Sequence, residues 1–94
     1  MPRLDGVEAV LDFIRGLQPK VAGQVARRVL ALAVTPQPPD SEALSGYVGL
    51  RRVDVGEYRV VYRFDESIDL VEVVLVGKRN DGEVYKRLRR LLGP

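Results

Sequence analysis

The 94-residue chain contains no cysteine and no histidine. Without cysteine there is neither a disulfide framework nor thiolate chemistry. Without histidine, the commonest general base and the commonest metal ligand are both missing. Any catalysis falls to Arg, Lys, Tyr, Asp, Glu, Ser or Thr, and neither a metal nor a cofactor is expected. Long apolar runs are also absent: none approaches the roughly 18–20 residues of a membrane span. Asp5, Glu8 and Asp12 fall within the first helix-like segment, which does not fit a signal peptide. A cytoplasmic protein without membrane contact is the expectation.

What is present is a globular composition. Hydrophobic residues make up 46% and charged residues 30%, which suits one folded domain over residues 1–94 rather than a disordered chain. The net charge of +2 says less than its distribution. Residues 1–47 carry five basic and five acidic side chains, whereas residues 48–94 carry ten and eight. Lys78, Arg79, Lys86, Arg87, Arg89 and Arg90 crowd one short stretch against Asp81 and Glu83. Arginine is the better fork for phosphate oxygens and the better stacker on bases. A solvated helix face is the plain alternative for such a run.

The first half has helical periodicity. Val7, Val10, Leu11, Ile14 and Leu17 form one stripe, with Asp5 as N-cap and Glu8 as its capping-box partner. Gly16 and Pro19 interrupt the pattern. A second helix is expected from Pro19 to about Val34, on Val21, Val25, Val29, Leu32 and Ala33. Pro36, Pro38 and Pro39 bar helix and sheet ladders alike. Residues 41–49 look irregular, with Leu44 as a core anchor. Strands are then expected at Arg51–Val55, Tyr58–Phe64 and Ile68–Val76, and a last helix at Glu83–Leu92. The fold class is α+β: an N-terminal helical hairpin packed on a small antiparallel sheet, a three-stranded meander, with a short C-terminal helix.

Strand alternation places Val60, Tyr62 and Phe64 on one face and Arg59, Val61 and Arg63 on the other. Carried along the third strand, it groups Val71, Val73, Leu75, Gly77 and Arg79, with Lys78 opposed. Arg59 and Arg79 can then share an exposed sheet face beside the helix that carries Tyr85.

The segments Gly56-Glu57-Tyr58-Arg59-Val60-Val61-Tyr62 and Val76-Gly77-Lys78-Arg79, followed six residues later by Tyr85, resemble the RelE/ParE superfamily of toxins from toxin–antitoxin systems. The resemblance covers about residues 7–92 and points to the RelE branch. It implies a ribosome-dependent mRNA endonuclease that cuts in the A site without a metal. The 2′-OH attacks the adjacent phosphate, leaving a 2′,3′-cyclic phosphate and a 5′-OH, so RNA is cut and DNA is not. By the same resemblance the partners are a cognate antitoxin, in a hetero-oligomer, together with ribosome and mRNA.

The resemblance assigns catalytic roles to Arg59, Arg79, Tyr85 and Arg52. Guanidinium groups stabilise charge that builds on phosphate oxygens. With no histidine, Tyr85 is taken as general base, with Arg52, Arg59 and Arg79 as the neighbouring cations. Arg79 is taken as phosphate clamp and Arg59 as transition-state stabiliser or leaving-group partner. Arg51, Lys78 and Lys86 are taken as RNA-binding. Tyr58 and Tyr62 are assigned to packing, Glu57 and Asp81 to turns.

Two departures stand out. Asp54 and Leu50 occupy positions where the family often has a second basic residue. The opening Met1-Pro2-Arg3-Leu4 is too short for the family's first strand, so that strand is expected to be missing or the start to be late. Two other readings follow: a ParE-like DNA gyrase inhibitor without nuclease activity, or a degenerate member that binds only its antitoxin.

Overall fold

The computed structural model describes residues 2–80 and 82–93. Met1, Pro94 and Asp81, the last assigned above to a turn, lie outside the described residues. The elements in chain order are β1 (Arg3–Asp5), α1 (Val7–Ile14), α2 (Pro19–Leu32), β2 (Glu42–Ala43), β3 (Leu50–Val55), β4 (Tyr58–Asp65), β5 (Leu70–Lys78) and α3 (Glu83–Leu92). The strands form one sheet in the order β1-β5-β4-β3-β2.

The antiparallel meander β3–β4–β5 is the one expected, with Gly56 in the left-handed region (φ 57°) at the first turn. Two short strands enlarge it. The first strand is not missing: Arg3, Leu4 and Asp5 pair in parallel with Leu70, Val71 and Glu72. Three residues suffice because they only cover the open edge of the long β5. At the opposite edge, Glu42 and Ala43 pair with Arg52 and Arg51, within the segment expected to be irregular.

The start of α1 also differs. Asp5 and Glu8 form no capping box. The Asp5 carboxylate accepts from the Gly6 N–H at 2.8 Å, and Gly6, at φ 79°, is the N-cap. A residue with positive φ lets the chain turn sharply from strand into helix.

The two sheet faces carry separate cores. Val53, Val60, Tyr62, Val71, Val73 and Val76 pack against Val10, Val25, Val29 and Leu32 of the helical hairpin. On the other face Leu50, Val61 and Leu75 pack against Leu44 and against Val84 and Leu88 of α3. Simple alternation along β5 fails here. The register passes from Val61 opposite Leu75 to Tyr62 opposite Val73, leaving Val74 as an extra residue. Such a bulge reverses the parity of everything beyond it. Val71 and Val73 therefore face the hairpin, while Leu75 and Gly77 face α3.

Tyr62 is fully buried, and its hydroxyl donates to the Pro36 carbonyl at 2.7 Å. One bond thus fastens the proline-rich connector to the central strand. Tyr62→Phe is expected to lower unfolding free energy by about 1–2 kcal/mol in urea titration, because a shielded carbonyl loses its donor. An unchanged midpoint would mean that water replaces the hydroxyl.

Candidate active site

The face that α3 half covers is also where charge collects. Arg52 and Asp54 are two residues apart on β3 and so share a face. Asp54 lies opposite Arg59 on β4, and Arg59 lies opposite Gly77 on β5. Arg79 follows just beyond β5, its backbone N–H donating to the Glu57 carbonyl at 3.0 Å. The β3–β4 hairpin turn therefore holds Arg79 in place.

Three guanidinium groups converge on one carboxylate. Arg59 Nε donates to Asp54 Oδ1 at 2.9 Å. Arg79 Nη1 and Arg52 Nη1 approach Oδ2 at 3.3 and 3.4 Å. Arg52 Nη2 also donates to Glu42 Oε2 at 2.7 Å. The first and last of these are well-formed charge-assisted bonds, and the two at Oδ2 are long. Side-chain exposure orders the groups by depth: Arg59 14%, Arg52 23%, Asp54 26% and Arg79 43%. Arg59 is the floor of the site and Arg79 its rim. Among the described residues two carboxylates offset two of the three cations, which leaves a positive excess.

Burial by itself raises the Asp54 carboxyl, but the Arg59 hydrogen bond and charge, the Arg52 charge and the Arg79 bond outweigh it. They hold the group below its ordinary value. A carboxylate depressed in the folded state contributes stability above its unfolded value of about 3.9 and loses it as pH falls. Urea titrations at descending pH should show this acid loss in the wild type and a shallower one in Asp54→Asn. Parallel curves would mean the cluster contributes nothing to folding.

The remaining candidates divide. Tyr85 is half-buried on α3, its ring against the core of Leu50, Val61 and Leu75. That core borders the cluster, since Val61 lies opposite Arg52. Among the described residues no hydrogen bond joins Tyr85 to the arginines. Arg51 points to the other face, where it donates to Ser41 Oγ at 2.8 Å and to the Ser41 carbonyl at 3.2 Å. It clamps the connector. Lys78 is exposed opposite Tyr58, on the hairpin side and away from the cluster. Lys86 is exposed on α3.

Arg87 is less solvated than a helix-face residue should be. It donates to the Val76 carbonyl at 2.7 Å and ties α3 to β5. Leu50 is buried, so one of the two positions where the family often has a basic residue is a core position here. Asp54 and Glu42 are the residues that motif reasoning undervalued. A usable signal existed for Asp54: it shares strand parity with Arg52 and faces Arg59 across a short hairpin.

A helical hairpin and a short helix on opposite faces of this sheet make the fold of the RelE toxins. Isolated Escherichia coli RelE is 26% identical, with a TM-score of 0.69 over 98% of this chain and 100% of that one. A mutant of E. coli RelE in the free state gives 24% identity and a TM-score of 0.73, covering 97% of each chain. The archaeal RelE–RelB complex from Pyrococcus horikoshii gives 20% and 0.72, over 85% of this chain and 97% of that one. No curated protein sequence matches. The chain belongs to the family of ParE toxins of type II toxin–antitoxin systems (parDE), whose model matches residues 7–82, within the RelE/ParE superfamily. It is a toxin of such a system.

Proposed function

We propose that this toxin is a ribosome-dependent mRNA endonuclease that cuts in the A site. The observation that carries the reading is the convergence of Arg52, Arg59 and Arg79 on a single anionic group. A site that gathers three guanidiniums onto two carboxylate oxygens can grip a phosphodiester in the same way. In the reaction the 2′-oxygen bonds to phosphorus and the P–O5′ bond breaks, giving a 2′,3′-cyclic phosphate and a 5′-OH. Tyr85 takes the 2′-OH proton, and the departing 5′-oxygen takes a proton from water. Arg79 clamps the phosphate at the rim, and Arg59 stabilises the charge that builds on it. Arg52 supports binding. Lys78 and Lys86 add charge for the flanking backbone, while Arg51, held by Ser41, serves the fold. No residue of the cluster is a strong acid at neutral pH, which fits a dependence on the ribosome to position the substrate.

The partner is a cognate antitoxin, in a cytoplasmic hetero-oligomer. Solved relatives support this: RelE is found with RelB in the P. horikoshii complex and in the intact E. coli complex. A second reading, gyrase inhibition, draws on the parDE description of the matching family. Controlled expression separates the two. Arrest of amino-acid incorporation without an SOS response is the expected outcome. An SOS response with intact translation would favour gyrase, and no toxicity at all would favour a non-catalytic antitoxin binder.

A further inference from the structure

We propose that Asp54 is a resident competitor for the scissile phosphate. Its carboxylate occupies the point on which Arg52, Arg59 and Arg79 converge, and RNA reaches those groups by displacing it. The identity of the incoming anion rests on the RNA-cleaving reading above; the anion site itself does not.

A carboxylate and a phosphodiester offer guanidinium groups the same feature, two anionic oxygens on one centre. Asp54 is placed for this by register, directly opposite Arg59 and two residues from Arg52 on the same face. The bonds differ in strength along the direction of solvent. The inner one, from Arg59, is 2.9 Å. The outer ones, from Arg52 and Arg79 to Oδ2, are 3.4 and 3.3 Å. Arg79 is the most exposed of the three, so it is the first to exchange a carboxylate for a phosphate. Arg59 bonds Asp54 through Nε, and neither of its Nη groups is bound to that carboxylate.

A competitor tethered on a short side chain cannot be diluted away. The site is open only in the fraction of molecules whose carboxylate has moved aside, and apparent affinity falls by that fraction. Free RNA is weakened as a ligand. A phosphate delivered at high effective concentration by a ribosome-held mRNA meets the same barrier with far more driving force. Asp54 would thus help confine the toxin to its assembled target.

The test is binding rather than cutting. A short fluorescein-labelled 2′-O-methyl RNA, which lacks the attacking hydroxyl, is titrated into the folded toxin by anisotropy at fixed salt. Asp54→Asn should bind at least about tenfold more tightly than wild type, and Asp54→Glu, which keeps the charge, should stay near wild type. Equal or weaker binding by Asp54→Asn would overturn the proposal. So would unfolding of both Asp54→Asn and Asp54→Ser, because the carboxylate would then be a strut. In the wild type, saturating oligonucleotide should move the Asp54 carboxyl carbon and Arg59 Nε resonances together; binding that leaves both unmoved also overturns it. Tighter binding by Asp54→Asn in a protein that never cuts ribosomal mRNA would leave this inference standing and remove only the endonuclease reading.

Discussion

Arg79→Ala should lower cleavage of ribosome-bound mRNA by about a hundred- to a thousandfold, the scale on which single oxyanion-stabilising donors act. It is the cleanest variant of the cluster. Arg79 is 43% exposed and its bond to Asp54 is 3.3 Å, so its removal leaves little buried charge behind. Stability should change by no more than about 0.5 kcal/mol. Arg59→Ala is a poorer probe, because Asp54 loses its best partner and the floor of the site opens. Arg79→Lys should recover only part of the rate, since an ammonium is a point charge without the planar fork. Rates are read by single-turnover primer extension on programmed ribosomes. An Arg79→Ala protein that cuts like wild type would take the rim arginine out of the chemistry.

Gly6→Ala should be the most destabilising conservative substitution in the N-terminal half, at about 3 kcal/mol or more. Two causes add. Gly6 sits at φ 79°, which side-chain-bearing residues adopt at a cost of roughly 1–2 kcal/mol. A Cβ there would also lie 2.1 Å from the Val73 carbonyl oxygen, and that neighbour is backbone, which cannot swing away. Val73 adjoins the bulge that divides β5 between the two cores. The clash would push α1 and β1 off β5 together. For a domain of this size the melting temperature should fall by more than about 12 °C. A fall of only a few degrees would mean that the β1–α1 corner relaxes independently of the sheet.

That corner also marks where sequence reading stopped. Helical stripes and strand alternation located α1, α2, α3 and the β3–β4–β5 meander, because each rests on a repeated pattern over many residues. β1 has three residues and no pattern of its own. Its existence depends on the open edge of β5 and on the close approach that Gly6 permits, and both are tertiary facts. The bulge at Val74 is invisible for a related reason. In an unbroken apolar run such as Val73–Val76, every residue looks equally fit for either face.

The site was legible to a different degree. Parity offered Arg59 and Arg79 a common face, although the alternation drawn back through Val73 and Val71 breaks at the bulge. Asp54 entered mainly as a departure from a familiar pattern. The structure gives it a positive role as the anion on which three arginines meet. Tyr85 was placed on the correct helix, and its ring rests on the α3 core.

The most direct measurement compares three mRNAs mixed with the purified toxin: one free, one on ribosomes with a vacant A site, and one on ribosomes with a single 2′-deoxy nucleotide at the cleaved position. Cleavage confined to the all-ribose mRNA on the ribosome, leaving a 2′,3′-cyclic phosphate, is the expected result. No cleavage of that mRNA by folded toxin, or equal cleavage of the 2′-deoxy message, would contradict the endonuclease reading.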